Sequence, residues 1–184
     1  MKRILFITSI AFLLWTTAPV SHAQASPTAT QGGSIQLGGG YSFGRTDIYR
    51  KKIQGFTVYG DFDFTRHWGI EGNIHRNSII TPNDVGLDSY LLGPRYSFHY
   101  RRFQPYVKGE LGIGRYKTDY DPAEQKVNFS NTFKIFAVGG GLDYHLNRHL
   151  NIRAVDYEYQ GWPGFGANGL NPYVFTFGAA YTFH

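Results

Sequence analysis

No cysteine occurs in this chain, which excludes an acylated lipoprotein cysteine, a disulfide framework and any thiolate metal site. Charge of one sign is also scarce. The formal net charge is +5 over 184 residues, and Lys2 and Arg3 carry two of those charges. An excess that small and that dispersed does not make a nucleic-acid surface, so no nucleic-acid partner is expected. Ile4–Trp15 is too short to span a bilayer as a helix, and no longer apolar run follows it. Barrel strands, whose side chains alternate and escape a hydropathy scan, remain open.

The first residues fit an export signal. Met1-Lys2-Arg3 is basic, Ile4–Trp15 is apolar, and Val20-Ser21-His22-Ala23 supplies small residues where a signal peptidase reads. Residues 1–23 are therefore expected to be a secretory signal peptide. Cleavage after Ala23 leaves 161 residues with a charge of +3. Residues 24–33 are small and polar and read as a flexible lead-in. Residues 34–184 make one domain.

What the chain has in quantity is glycine, 23 residues, and aromatic side chains, 17% of the total. Their arrangement is clearest at the end. From Tyr173 to Phe183 every second residue (Tyr173, Phe175, Phe177, Ala179, Tyr181, Phe183) is large or apolar, while Val174, Thr176, Gly178, Ala180 and Thr182 are small or mildly polar. A period of two makes an extended strand with two unlike faces. The aromatic face is insoluble alone, and the small face suits the interior of a narrow closed barrel. About ten residues of this kind are what a tilted strand needs to cross a bilayer.

The same alternation recurs upstream. Strands are expected at Ser34–Phe43, Gly55–Phe64, Trp68–His75, Asp88–Phe98, Phe103–Tyr116, about Thr132–Tyr144 and Leu150–Tyr159. Pro94 removes a ladder hydrogen bond and points to a bulge in the fourth strand. The phase of the sixth is ambiguous at Gly139-Gly140-Gly141; Phe136, Val138, Leu142 and Tyr144 are favoured outward with Asp143 inward. The seventh changes phase within itself, and a bulge near Ala154 keeps Arg153, Asp156 and Glu158 on one side. Connections alternate long and short along the chain, as in outer-membrane barrels with short periplasmic turns and longer outside loops. The fold expected is an all-β, eight-stranded antiparallel up-and-down transmembrane barrel, its termini periplasmic and its outward aromatics in two girdles.

Leu92-Gly93-Pro94-Arg95-Tyr96-Ser97-Phe98, Pro105–Gly112, Gly139–Tyr144 and Tyr181-Thr182-Phe183 together resemble the small OmpA/OmpX-type outer-membrane β-barrel family. The resemblance covers the whole mature chain and implies fold more than function. Members of that family usually end on an aromatic residue read by the barrel-assembly machinery, which is thereby implied as a partner during insertion. Here Phe183 stands one position before His184.

Inward charges are the main candidate site. Asp61, Asp63, Glu71, Arg95, Lys108, Glu110, Asp143, Arg153, Asp156 and Glu158 fall on the small-side-chain face of neighbouring strands, the first eight in the half nearest the short turns. Buried charges persist when paired and hydrogen-bonded, so the expectation is a lumen closed by a salt-bridge network. The alternative is a narrow ion-conducting barrel. An enzymatic alternative, lipid A modification, rests on His75-Arg76-Asn77-Ser78, which holds residue types for nucleophilic catalysis with Ser and Asn exchanged relative to the deacylase His-x-Ser-Asn. A third alternative is a soluble barrel carrying a lipophilic ligand, its aromatics facing inward. Arg45, Arg50, Lys51 and Lys52 read as a basic first loop able to grip lipopolysaccharide phosphates. Trp162 and Phe165, with Leu170, read as an apolar contact surface in the fourth loop. No catalytic residue, metal site or cofactor is expected, since His67, His145 and His149 are scattered over turns without ligand spacing. The partners expected are outer-membrane lipid, lipopolysaccharide and an unnamed external molecule.

Overall fold

A computed structural model describes residues 33–47, 52–77, 86–118 and 129–183. The expected signal peptide, most of the lead-in, Arg50, Lys51, Ser78 and His184 lie outside the described residues. Eight strands follow one another: β1 (Ser34–Arg45), β2 (Lys52–Asp63), β3 (Trp68–Arg76), β4 (Gly86–Ser97), β5 (Phe103–Thr118), β6 (Phe129–His145), β7 (Leu150–Gly161) and β8 (Tyr173–Phe183). Each pairs antiparallel with the next, and β8 pairs with β1, so the sheet closes on itself. Closure satisfies every edge internally, which hydrocarbon demands because it offers backbone groups no partner.

The alternation sets the two faces as expected. Large apolar side chains such as Leu37, Val58, Ile74, Leu92, Leu111 and Phe177 point outward and stay exposed, while their chain neighbours are buried. This orientation removes the soluble-carrier alternative, which needed the aromatics inside. Outward aromatics pack in pairs near the strand ends: Trp68 with Tyr96, Tyr96 with Phe98 and Tyr181 with Phe183 at the turn end, Tyr41 with Phe56 and Phe43 with Phe177 toward the loops.

Several strands run further than their hydrophobic pattern. Arg45 pairs with Lys52, and Arg115 with Thr132, so ladder hydrogen bonds continue where the outward side chains have become polar. Arg45 and Lys52 thus belong to β1 and β2 and not to a loop.

The two expected irregularities part company. In β7 the register slips between Arg153 and Asp156 against β8, and between the Leu142 and Asp143 positions against β6. That is the bulge expected at Ala154, and Arg153, Asp156 and Glu158 are all buried by it. At Pro94 there is no bulge. Gly93 and Pro94 drop out of the ladder to β5, yet Leu92 still faces Leu111 and Arg95 still faces Lys108 in unchanged register. Proline lacks one N–H, but a missing bond does not require an extra residue, and Pro94 keeps its pairing with Ile70 on the other side.

Candidate functional site

The lumen of an eight-stranded barrel is just wide enough for side chains to fill it, and here it is filled in three layers. The lowest, next to the short turns, is polar and almost uncharged. Asn151 donates to Gln36 at 2.6 Å and to Thr182 at 2.8 Å, and the His145 ring bridges Asn151 (2.6 Å) and Gln104 (2.7 Å). Of these the sequence drew attention only to His145, as one of three histidines without ligand spacing, although all five fall on the inward phase.

The middle layer is the charge network. Arg153 is central: Nη1 lies 3.0 Å from Glu71, Nη2 3.2 Å from Asp61 and Nε 3.2 Å from Asp143. Arg95 reaches the same three carboxylates, at 2.6 Å to Asp61, 2.6 Å to Asp143 and 3.4 Å to Glu71. Lys108 lies 2.8 Å from both Glu71 and Asp156, 3.2 Å from Glu158 and 3.5 Å from Glu110. Register explains the meeting. Asp61 faces Glu71, Arg95 faces Lys108 and Asp143 faces Arg153 across their respective strand pairs, so six charges occupy neighbouring rungs.

Aromatic rings complete the layer. The Arg153 guanidinium lies 3.6 Å from the centroid of Tyr59, and that of Arg95 3.9 Å from Tyr106, where the ring face stabilises a desolvated cation. Gly38 and Gly141 leave the space these two rings occupy, since a Cβ at either position would meet Tyr59 or Tyr106. Of the ten charges expected inside, nine are buried in this way; Asp63, half-buried at the turn end, stands outside the salt bridges among the described residues.

His75 belongs to the lumen. It is 0% exposed, its Nδ1 sits 2.7 Å from the Thr57 hydroxyl and its Nε2 3.3 Å from Glu158. Asn77 is buried beside it and accepts from Ser42 at 2.7 Å. The imidazole therefore faces away from lipid, toward the carboxylate of β7, while Ser78, the nucleophile of the enzymatic alternative, lies outside the described residues.

The uppermost layer is apolar and closes the loop end. Ile53, Leu87, Leu91, Ile135, Ala137 and Val174 from the strands pack with Trp162 and Leu170 from the fourth loop, with Tyr116, Phe133 and Phe165 against them. The expected exposed contact surface is thus corrected. Trp162 is 1% exposed and Leu170 2%, and Phe165 is half-buried with its ring 4.8 Å from Tyr116 and 5.4 Å from Phe133. Backbone bonds between Trp162 and Leu170 (2.9 and 3.2 Å) pinch the loop, and Gly166 and Gly169, both at positive φ, turn it back. Burying an indole costs nothing in hydrogen bonding here, because Trp162 Nε1 donates to Gln160 at 3.1 Å. Gln160 in turn donates to Glu158 at 2.6 Å, which joins the plug to the charge network.

A closed sheet with an apolar outside, a paired polar inside and no helix among the described residues defines a transmembrane β-barrel. The chain matches the outer membrane protein beta-barrel domain over residues 10–183 and belongs to that family. None of the curated proteins matches it. Among solved structures it is similar to Neisserial surface protein A, with 14% identity, a TM-score of 0.64 and coverage of 83% of this chain and 98% of that one. OprG from Pseudomonas aeruginosa is similar at 17% identity and a TM-score of 0.58, over 85% and 98% of the two chains. Ail of Yersinia pestis is similar at 20% identity and 0.57, over 83% and 100%. At these identities the likeness concerns the fold.

Proposed function

We propose that this chain is a non-enzymatic integral outer-membrane barrel whose lumen is sealed, and whose long loops and basic outer rim contact lipopolysaccharide or an external partner. In this reading residues 1–23 are cleaved on export, the barrel-assembly machinery inserts the strands, and the short turns and both termini face the periplasm. The observation that carries it is the double closure of the lumen. Among the described residues, paired charges fill the middle and the Trp162 plug fills the loop end, which favours a lumen closed to solutes.

Arg45, Lys52 and Arg76 supply cations at the loop end, where an anionic partner would meet them. A barrel of the same fold, Ail, has been solved in complex with the heparin analogue sucrose octasulfate, itself a polyanion. The test is twofold. The protein from the outer-membrane fraction should migrate differently on a gel before and after boiling, and in planar bilayers it should give no stepwise conductance. Heat-independent migration overturns the barrel in the membrane, and regular conductance steps overturn the seal.

A further inference from the structure

The lipid-facing wall is not evenly covered. Leu37, Gly60, Gly72 and Leu92 form one row across β1 to β4, each the register partner of the next. The two glycines are neighbours and both fall on the outward face, so the middle of the row carries no side chain. A furrow of about 760 Å³ results, bounded by the side chains of the adjoining rows. Leu37 and Leu92 lean toward it without filling it; a methyl on Gly60 would lie 3.1 Å from Leu37 Cδ2, and one on Gly72 3.4 Å from Leu92 Cδ1. A void in such a wall leaves its lining without dispersion partners, and in a bilayer only lipid or another wall can supply them.

Three cations stand at the loop ends of the same strands, on the same outward phase. Arg45 and Lys52 are register partners. Arg76, its side chain 49% exposed, has Nη1 3.3 Å from Asp88 and its guanidinium 5.8 Å from the Tyr90 ring. Four residues of strand separate Arg76 from Gly72, about 13 Å, and eight separate Lys52 from Gly60, about 26 Å. One hydrocarbon leaflet is about 15 Å deep. A phosphate held at Arg76 would therefore send its chain down the wall as far as the furrow.

Resting on the outer-membrane orientation proposed above, we propose that the Gly60–Gly72 furrow seats one acyl chain of lipid A whose phosphate is held by Arg76, while Arg45 and Lys52, farther out on the neighbouring strands, meet the rest of the phosphorylated headgroup. Lipid A is preferred to a second copy of the barrel because Arg76 above the furrow, with Arg45 and Lys52 farther out on the same face, would repel those of a like copy and suit a phosphorylated lipid.

The experiment is native mass spectrometry of the full-length chain, exported and folded in detergent, titrated with hexa-acylated lipid A, with deacylated lipid A and with phosphatidylglycerol. Gly60→Leu/Gly72→Leu fills the furrow by displacing only flexible leucine ends, and Gly60→Ala/Gly72→Ala is the milder version should the first not fold. The expected result is lipid A binding weakened about fivefold or more by the leucine pair, and less by the alanine pair, with binding of the deacylated headgroup unchanged. Arg45→Gln/Lys52→Gln/Arg76→Gln should weaken both. Lipid A binding unaffected by the filled furrow but lost with the rim cations overturns the seat and leaves the rim reading standing. No binding of lipid A by the unaltered protein overturns both. Phosphatidylglycerol weakened equally by the leucine pair, or a dimer that the pair abolishes, overturns lipid A as the occupant.

Discussion

The indole of Trp162 occupies the space where a Gly114 side chain would stand. Its six-membered ring lies against the β5 backbone so closely that a Cβ there would overlap it. The plug at the loop end is thus seated by a glycine on the wall, as Tyr59 is by Gly38 and Tyr106 by Gly141. These three inward glycines make room for large rings.

Gly114→Val should expel the plug. Overpacking costs on the order of 1–3 kcal/mol, and the loop has a route outward that the wall does not. In a Trp15→Phe/Trp68→Phe background the chain reports only Trp162, whose emission should shift to the red and become quenchable by iodide. An emission unchanged from the parent means the indole is not seated on Gly114.

Arg153 serves three carboxylates at once, so removing it should hurt more than removing Asp61 or Asp143, each of which meets two cations. Arg153→Met leaves Asp61, Glu71 and Asp143 with one fewer cation in a sealed interior, a loss of about 3–5 kcal/mol for a broken buried pair. Urea unfolding of the barrel in lipid vesicles measures it. A loss below about 1 kcal/mol, the range of exposed ion pairs, contradicts the network as drawn.

His75→Ala should alter stability and leave lipid alone. Its two buried partners, Thr57 and Glu158, lose their hydrogen bonds, at a cost of about 1–3 kcal/mol. The acylation pattern of lipid A in cells carrying the variant, read by mass spectrometry, should match that of cells carrying the parent. A changed pattern restores the enzymatic reading.

At the turns, partial burial and the neighbouring His67 lower the affinity of His99 for protons, their rings standing 5.9 Å apart. A histidine whose folded pKa is depressed penalises the folded state once the unfolded chain begins to take the proton. Stability should therefore be full above about pH 6.5 and decline as pH falls through that value. His99→Gln should flatten that part of the profile, by a modest amount because the ring is largely exposed. A profile of unchanged slope shows that His99 does not contribute.

The eight strands and their two faces were legible because a period of two repeats wherever lipid lies on one side and side chains on the other. Even the slip at Ala154 could be read, since Arg153 and Asp156 could share a face only if one residue were extra. Pro94 misled because a lost N–H and an inserted residue leave the same mark in sequence. The plug was hidden for another reason. Trp162 and Phe165 look like an exposed apolar tip until Gly114, 48 positions before Trp162, is known to lie beneath the indole, and Tyr116 and Phe133 beside Phe165. The amide layer around Asn151 was equally unseen, because neutral polar residues on an inward phase carry no charge pattern to draw the eye. The furrow at Gly60 and Gly72 depends on register, which fixes neighbours that no single strand reveals.

The account as a whole depends on which side of the wall meets lipid. The chain's lack of cysteine allows a clean test by spin labels attached at Val58→Cys and at Thr57→Cys, one residue apart in β2. In vesicles the label at position 58 should collide freely with oxygen and little with a water-soluble nickel chelate, while the label at 57 should meet neither. A label at 58 that meets the chelate, or one at 57 that meets oxygen as freely as 58, contradicts a barrel with lipid outside and a sealed polar lumen.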